Sequence, residues 1–127
     1  MKLKKADSEF SRYIRLRDSD ETGFTMCCTC GKILHWKQMD CGHFRGRSNR
    51  ATRWIENNAH AQCKTCNQEN DGEHFKYADF LIRKYGREIV SELTMSSNMD
   101  FKFTQLEVDD IAKYYKQKAD ELLKHKR

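Results

Sequence analysis

Two pairs of cysteines constrain the fold of this sequence more than any other feature. Two residues separate Cys27 from Cys30, and two separate Cys63 from Cys66. Four thiolates at this spacing are typical of a closed, tetrahedral Zn²⁺ site. One such pair would be weak evidence, but two pairs in one short chain predict a structural zinc ion that joins the two segments.

The composition favours a single small domain whose core is too small to be secure without such a structural metal ion. The chain has 127 residues, of which 38% are apolar and 34% charged, so one modest core is expected. No segment is apolar enough for a membrane span or a signal sequence, and we predict neither insertion nor secretion. In an unsecreted chain, cysteines are better interpreted as metal ligands than as disulfides. Of the two remaining cysteines, Cys28 could replace Cys27 as a ligand, and Cys41 is expected to be a small buried hydrophobe.

Apolar periodicity predicts a helix near each end of the chain. In the first, Asp7 to Arg17, the apolar residues Phe10, Tyr13 and Ile14 lie on one face. The second follows a capping box, Thr104-Gln105-Leu106-Glu107, with Phe103 and Val108 as a hydrophobic staple. Its apolar stripe consists of Val108, Ile111, Ala112, Tyr115, Ala119 and Leu122. Such a stripe fits packing on its own domain or pairing with a second copy.

Shorter elements are predicted between these helices. We expect a strand over Ile33 to Phe44 and a returning strand near Trp54-Ile55 or Ala59-Gln62. Further helical segments are expected at Lys64 to Glu69, ended by Asp71-Gly72, at Glu73 to Tyr85, ended by Gly86, and at Arg87 to Leu93, with a loop over Thr94 to Asp100. The fold class is therefore α+β, with an N-terminal helix (1–22), a four-cysteine core (23–72) and a helical C-terminal region (73–127).

The 32 residues between the cysteine pairs contain the candidate chemistry. Asp40 and His43 lie at a predicted strand end, and Asn67 directly follows the last thiolate, so folding brings these side chains together. An imidazole with a pKa of about 6.5 can accept a proton from water at neutral pH. Carboxylate and amide oxygens can hold Mg²⁺ or Mn²⁺ against a phosphate. This set suits metal-assisted phosphodiester hydrolysis, although His43 can equally be structural, and Asp40 and Asn67 can be turn and cap residues.

Positive charge is concentrated beside His43. The formal net charge is +5, which favours an anionic partner. Four arginines without an intervening acid are the candidate DNA-binding residues: Arg45, Arg47, Arg50 and Arg53. A second basic stretch, Lys113 to Arg127, can be a solvated helix face.

Two sets of motifs resemble known families. Asp40-Cys41-Gly42-His43, Asn58 and Cys63-x2-Cys66-Asn67, framed by Cys27-x2-Cys30, look like the ββα-metal (His-Me, HNH-type) nuclease finger, and the order is similar to that of recombination endonuclease VII. Nearly the whole chain resembles the NinG/Rap family of lambdoid phage recombination proteins. That resemblance rests on Ala6-Asp7-x2-Phe10-Ser11-x-Tyr13-Ile14-Arg15-Leu16-Arg17-Asp18, Cys41-Gly42-His43-Phe44, Ala51-Thr52-Arg53-Trp54, Gln62-Cys63-x2-Cys66-Asn67, Tyr77, Arg83-x-Tyr85-Gly86 and the last helix.

The resemblance implies roles for individual residues. His43 would be the general base, Asn67 a metal ligand, and Asn58 the residue that orients the base or its loop. Asp40 would be a second catalytic residue and metal ligand, although in endonuclease VII the acid directly precedes the histidine. Here Cys41-Gly42 intervene, as in the non-specific ββα nucleases. Asp71-Gly72-Glu73-His74 departs from the Gly-Asn of the family and leaves open whether Glu73 or His74 binds the metal.

Together these observations predict a zinc-stapled ββα-metal finger flanked by helices. The resemblance implies a metal-dependent endonuclease that hydrolyses branched, Holliday-type DNA in phage recombination and leaves 5′-phosphate and 3′-hydroxyl ends. It would act in the cytoplasm of a bacterial host, and a homodimer would supply the two nicks that a junction requires. The alternatives are a non-catalytic zinc module that binds nucleic acid, and a non-specific or other HNH-type nuclease.

Overall fold

The computed structural model describes residues Met1 to Arg127 and combines four helices with two separate hairpins. The helices are α1 (Lys4–Arg17), α2 (His74–Tyr85), α3 (Ile89–Ser97) and α4 (Gln105–Lys124). The strands are β1 (Phe24–Met26), β2 (Ile33–His35), β3 (Asp40–His43) and β4 (Ala59–Gln62). β1 pairs with β2 and β3 pairs with β4, both antiparallel. The mixed α+β class is therefore confirmed.

The main core lies between α1 and α4. The ring of Phe10 meets the ring of Tyr115 edge to face at 4.9 Å between centroids, and Ile14 and Ala119 are fully buried in the same cluster. The apolar stripe of α4 therefore packs on its own domain. This is the first of the two uses of the stripe that the sequence left open.

The first turns of α1 and α4 are fixed by hydrogen bonds and packing of the residues that precede them. α1 starts three residues before the predicted Asp7, because the Leu3 carbonyl accepts the Asp7 N–H at 3.0 Å and the Leu3 side chain packs on the core. The capping box of α4 is confirmed. The Thr104 hydroxyl accepts the Glu107 N–H at 3.1 Å, and the Glu107 carboxylate accepts the Thr104 N–H at 2.9 Å.

The single strand predicted over Ile33 to Phe44 is wrong. A short 3-10 turn at Trp36–Gln38 divides it into β2 and β3. The Trp36 side chain is buried in the α1–α4 core, and the His35 ring accepts the Lys37 N–H at 3.2 Å. These contacts favour the turn over a continuous strand. The returning strand is Ala59–Gln62, the second of the two alternatives.

The region around and after the second cysteine pair contains the three predicted helical segments with shifted bounds. The segment at Thr65–Glu69 is one π-helical turn, and it ends before Asp71 and Gly72, which both have positive φ. α2 ends at Gly86, with φ of +105°, as expected. The loop predicted over Thr94 to Asp100 is wrong for its first four residues, because α3 continues to Ser97 and packs Ile89 and Leu93 against α2.

Hairpin β3–β4 depends on one glycine. Gly42 pairs with His60 across the strands, and a Cβ atom at Gly42 would lie within 2.1 Å of the Gln62 side-chain oxygen. Only glycine fits this close approach without displacement of Gln62, whose amide donates to the carbonyl of Gly72 at 2.8 Å. The hairpin therefore fixes Asp40 and His43 at the two ends of β3.

None of the helices has the length and apolar character that crossing a membrane requires.

Candidate active site and metal centre

The four cysteines of the two predicted pairs meet in space. Cys27 follows β1, Cys63 follows β4, and Cys66 lies in the turn after β4. The four sulfur atoms all lie within 4.8 Å of one another, with Cys30 exposed and the other three buried. All six cysteines are free thiols.

The distances in this cluster suit a metal. The Sγ atoms of Cys30 and Cys63 are 3.7 Å apart, whereas a disulfide requires about 2.05 Å. A tetrahedral site with Zn–S bonds of about 2.3 Å places its sulfur atoms about 3.8 Å apart. The backbone N–H of Cys66 also donates to Cys63 Sγ at 3.4 Å. The cluster could therefore hold a metal ion such as zinc.

The two remaining cysteines stay outside this cluster. Burial raises the pKa of the Cys41 thiol to about 12, and burial also raises the pKa of Cys28 far above its usual range. Both therefore remain neutral thiols at physiological pH. Cys27, rather than Cys28, belongs to the group of four, as the spacing predicted.

One polar cavity brings together three of the sequence-predicted site residues. It has a volume of about 630 Å³, and Asp40, His43 and Asn67 all line it. Asp40 begins β3, His43 ends β3, and Asn67 lies in the turn after β4. Four further cationic or polar side chains line the cavity: Ser11 and Arg15 of α1, Arg47 of the loop after β3, and Lys64 of the turn after β4. The three residues therefore line one cavity, and within it Asn67 contacts Asp40.

His43 is held in a single neutral tautomer. Its Nε2 atom lies 2.9 Å from the backbone carbonyl oxygen of Arg53, and because a carbonyl can only accept, Nε2 carries the hydrogen. Nδ1 then has a lone pair that no group of the protein occupies. Burial lowers the pKa of His43 below its ordinary value, with a further lowering by Arg47, while the hydrogen bond to Arg53 opposes these effects. At neutral pH the imidazole is therefore an available base.

Asp40 and Asn67 are in direct contact. The amide of Asn67 donates to the Asp40 carboxylate at 2.9 Å, and Gln68 donates to the same oxygen at 2.6 Å. The Lys64 ammonium lies 2.7 Å from the other oxygen. Burial alone would raise the pKa of Asp40, but these hydrogen bonds outweigh it and the pKa is lowered. The carboxylate is therefore ionised throughout the neutral range.

These two residues have the oxygen types that bind the divalent cation implied by the resemblance, a carboxylate and an amide oxygen. The Asn67 amide presents its nitrogen to Asp40, so it would have to turn for its oxygen to bind the same cation. Mg²⁺ is commonly bound by one or two carboxylates together with phosphates and water. Lys64 occupies one oxygen of Asp40, so a cation there would displace or share that contact. Glu73 and His74 lie outside this cavity. Glu73 pairs with Lys76 at 3.5 Å, and the His74 ring stacks on Phe44 at 4.5 Å.

Asn58 is buried beneath the loop that follows β3. Its side-chain oxygen accepts the Arg45 N–H at 2.8 Å, and its amide donates to the carbonyls of Arg45 and Thr52 at 2.9 and 3.1 Å. It does not line the cavity. The geometry therefore gives Asn58 a positioning role in the loop whose Arg53 carbonyl anchors His43.

The four arginines of this loop have different surroundings. No acid lies among them in the sequence, but α1 brings Asp7 against Arg53, with a 2.9 Å hydrogen bond from Nε of Arg53. Arg45 donates to the Ser97 hydroxyl at 2.9 Å. Arg47 is 60% exposed, and Arg50 is also exposed. Arg47 and Arg50 are the two arginines exposed to a large anionic partner, although Nη1 of Arg47 lies 3.6 Å from the Asp7 carboxylate and Nη1 of Arg50 lies 3.5 Å from the Met1 sulfur.

Sequence reasoning missed the cations that reach the cavity from outside this loop. Arg15 comes from α1, Lys37 from the turn after β2, and Lys64 from between the cysteines of the second pair. In the sequence, nothing distinguishes a single site arginine on the polar face of a helix from an ordinary solvent-exposed one. Only the packing of α1 beside β3 shows that Arg15 lines the cavity.

Comparison with known proteins places the whole chain in one family. The family model described as Bacteriophage Lambda NinG protein matches residues 2–125. The chain is 33% identical over 121 residues to Protein ninG of Escherichia phage lambda and to Protein ninG of Escherichia phage 933W. Each alignment covers 94% of this chain but only 56% and 57% of the respective relative, so the chain spans little more than half the length of the curated relatives it matches. No solved structure gives a significant match. The chain belongs to the NinG family of bacteriophage proteins.

Proposed function

We propose that this protein is a divalent-metal-dependent DNA endonuclease that acts on branched DNA during phage recombination. The observation that carries the proposal is the state of His43: a neutral imidazole, fixed through Nε2, with a free Nδ1 in a cavity that also contains Asp40 and Asn67. A positioned base and a cation site in one cavity are the groups that metal-assisted phosphodiester hydrolysis requires.

The order of elements supports a ββα-metal finger. β3, β4 and the turn at Thr65–Glu69 follow one another, with the base at the end of the first strand and Asn67 directly after the last cysteine of the metal cluster. This order is similar to that of recombination endonuclease VII. The helical part is a single π-helical turn.

In the proposed reaction, His43 Nδ1 takes a proton from the attacking water. The carbonyl of Arg53 holds the ring, and Asn58 holds the loop that carries this carbonyl. The cationic side chains of the cavity attract and orient the phosphodiester. A divalent cation at Asp40 and Asn67 would supply neutralisation of charge on the phosphoryl oxygens and on the leaving 3′ oxygen.

Preference for branched DNA requires more than this site. A single finger engages one phosphodiester, so linear and branched substrates are equivalent to it. Resolution of a four-way junction needs two nicks, which two copies related by two-fold symmetry would supply. Since α1 covers the stripe of α4, such copies would meet on the DNA or through another surface. As a relative of phage proteins, the protein would work in the cytoplasm of the bacterial host.

A substrate panel tests this function. Purified zinc-loaded protein is incubated with linear, nicked, flapped and four-way DNA, with Mg²⁺ or with no added divalent cation. We expect Mg²⁺-dependent cleavage that is fastest on the four-way substrate. Equal cleavage of all substrates would indicate a non-specific nuclease. Binding without cleavage of any substrate, with Mn²⁺ as well as Mg²⁺, would contradict the proposal and identify a zinc module that only binds nucleic acid.

A further inference from the structure

Arg15 is a half-buried cation that has no acidic partner. Its Nε atom donates to the backbone carbonyl and the hydroxyl of Ser11, both at 3.1 Å, and Nη1 reaches the Trp36 carbonyl at 3.4 Å. The guanidinium also lies over the Trp36 ring, 5.2 Å from its centroid. All of these partners are neutral, and Nη2 makes no hydrogen bond within the protein.

The neighbouring arginines behave differently. Arg12 pairs with Glu9 at 2.9 Å and with Asp120 at 2.6 Å, and Arg17 pairs with Asp18 at 2.8 Å. A charge that is partly removed from water without a counter-ion is costly. A preformed cation of this kind, on the wall of a cavity, is expected where an anionic ligand completes the pairing.

A second cavity extends the first one along α1. It is also about 630 Å³ in volume, and it shares Asp7, Ser11, Arg15 and Arg47 with the cavity that contains His43. Lys4 and Ser8 line its far part. The two cavities therefore form one groove, with Arg15 where they meet.

The wall of this groove is a polar stripe of α1. Lys4, Ser8, Ser11 and Arg15 are spaced by four, three and four residues, which places them on one face of the helix. From Lys4 to Arg15 the helix rises about 16 Å at about 1.5 Å per residue. In duplex DNA one strand carries a phosphate about every 3.4 Å along the axis, so the stripe can follow several consecutive phosphates.

We infer that this α1 groove, formed by Lys4, Ser8, Ser11, Arg15 and Arg47, binds the sugar-phosphate backbone of the DNA strand beside the phosphodiester at His43. Arg15 contacts a phosphate with its free guanidinium edge, and the hydroxyls of Ser8 and Ser11 donate to phosphate oxygens further along. The inference rests on the proposed function in one respect, that the ligand is DNA. It adds contacts from the N-terminal helix to those that the sequence assigned to the loop after β3.

The test measures DNA binding rather than cleavage. Affinity for a fluorescent duplex and a four-way junction is measured without Mg²⁺ over a range of salt concentrations, for the intact protein, Arg15→Gln and Arg12→Gln. We expect Arg15→Gln to weaken binding about tenfold or more. It should also reduce the slope of log affinity against log salt by about 0.9. Arg12→Gln removes the same charge from the same helix but breaks internal ion pairs, so it should lower thermal stability with little change in this slope.

A surface substitution keeps the test valid if Arg15→Gln does not fold. Ser8 is exposed, and Ser8→Glu places a negative charge in the groove without disturbing the core. We expect it to weaken DNA binding, whereas Gln117→Glu, which makes the same charge change on the exposed face of α4, should not. Unchanged affinity and salt slope in the Arg15 and Ser8 variants would overturn the inference, even if the protein cleaves DNA. If the variants lose DNA affinity as predicted but the protein cleaves no DNA, the groove is supported and only the proposed endonuclease function is overturned.

Discussion

The backbone carbonyl of Arg53 accepts the hydrogen bond of His43 at 2.9 Å, while the side chain of the same arginine is fixed by Asp7 of α1. One residue of the loop therefore connects the candidate base to the N-terminal helix. The two side chains of this ion pair are each only 14% exposed, and Asp7 also accepts a hydrogen bond from the Trp54 indole at 3.0 Å. The position of His43 depends on a contact made 36 residues earlier in the chain.

Asp7→Asn should therefore destabilise the protein and impair the site. The substitution leaves the Arg53 guanidinium largely buried without its counter-ion, which costs about 3–5 kcal/mol. Urea unfolding measures this cost, with Asp79→Asn on the exposed face of α2 as the matched control. A stability equal to that of the control would mean that the ion pair does not hold the loop.

The four-cysteine cluster leads to a prediction about how loss of zinc affects folding. Cys63→Ser should lose the metal and unfold the central region, because structural zinc in small domains contributes about 10–16 kcal/mol. Cys28→Ser should keep both the metal and the fold, since Cys28 stands outside the group of four. Zinc content by mass spectrometry of the native protein and a thermal melt provide the measurements. Full zinc content in Cys63→Ser would refute the four-cysteine assignment.

The exposed arginines of the loop after β3 should contribute to DNA binding in proportion to their charge. Each phosphate contact contributes about 0.9 to the slope of log affinity against log salt, so Arg47→Gln with Arg50→Gln should flatten it by somewhat under two units. The paired control is Lys113→Gln with Lys124→Gln on α4. If only the control pair changes the slope, the basic end of α4 rather than this loop meets the DNA.

A buried histidine outside the site should make stability depend on pH. His60 lies between the hydroxyls of Tyr77 and Tyr85, at 3.2 and 2.7 Å, and burial lowers its pKa to about 3. The unfolded chain binds a proton at this histidine near pH 6.5 and the folded chain does not, so stability falls as the pH falls from about 6.5 towards 3.

Between pH 6.5 and pH 5 this histidine should cost somewhat under about 2 kcal/mol, because the full slope of about 1.4 kcal/mol per pH unit is reached only below the pKa of the unfolded histidine. Urea unfolding at the two pH values measures the loss. His60→Gln should be less stable at neutral pH but should lose correspondingly less stability on acidification. An equal loss in both proteins would show that His60 does not carry this pH dependence.

Features that depend on residues a few positions apart could be predicted from the sequence. Features that depend on contacts between segments far apart in the chain could not. The cysteine spacing identified the cluster, and Thr104 with Glu107 identified the start of α4, because both depend on residues a few positions apart. The turn at Trp36, by contrast, depends on burial of its ring against α1. The pairing of Asp7 with Arg53 and the position of Arg15 also depend on how α1 packs beside β3, and neither has a local signature.

The central claim is that His43 is the general base of a phosphodiesterase site. The most direct measurement is the rate of Mg²⁺-dependent cleavage of a four-way junction by His43→Ala, compared with His125→Ala at the exposed C-terminus and with binding measured separately. Loss of a positioned general base should lower the rate by about 10²–10⁴-fold, with affinity retained in both variants. Cleavage by His43→Ala at the rate of His125→Ala would contradict the account.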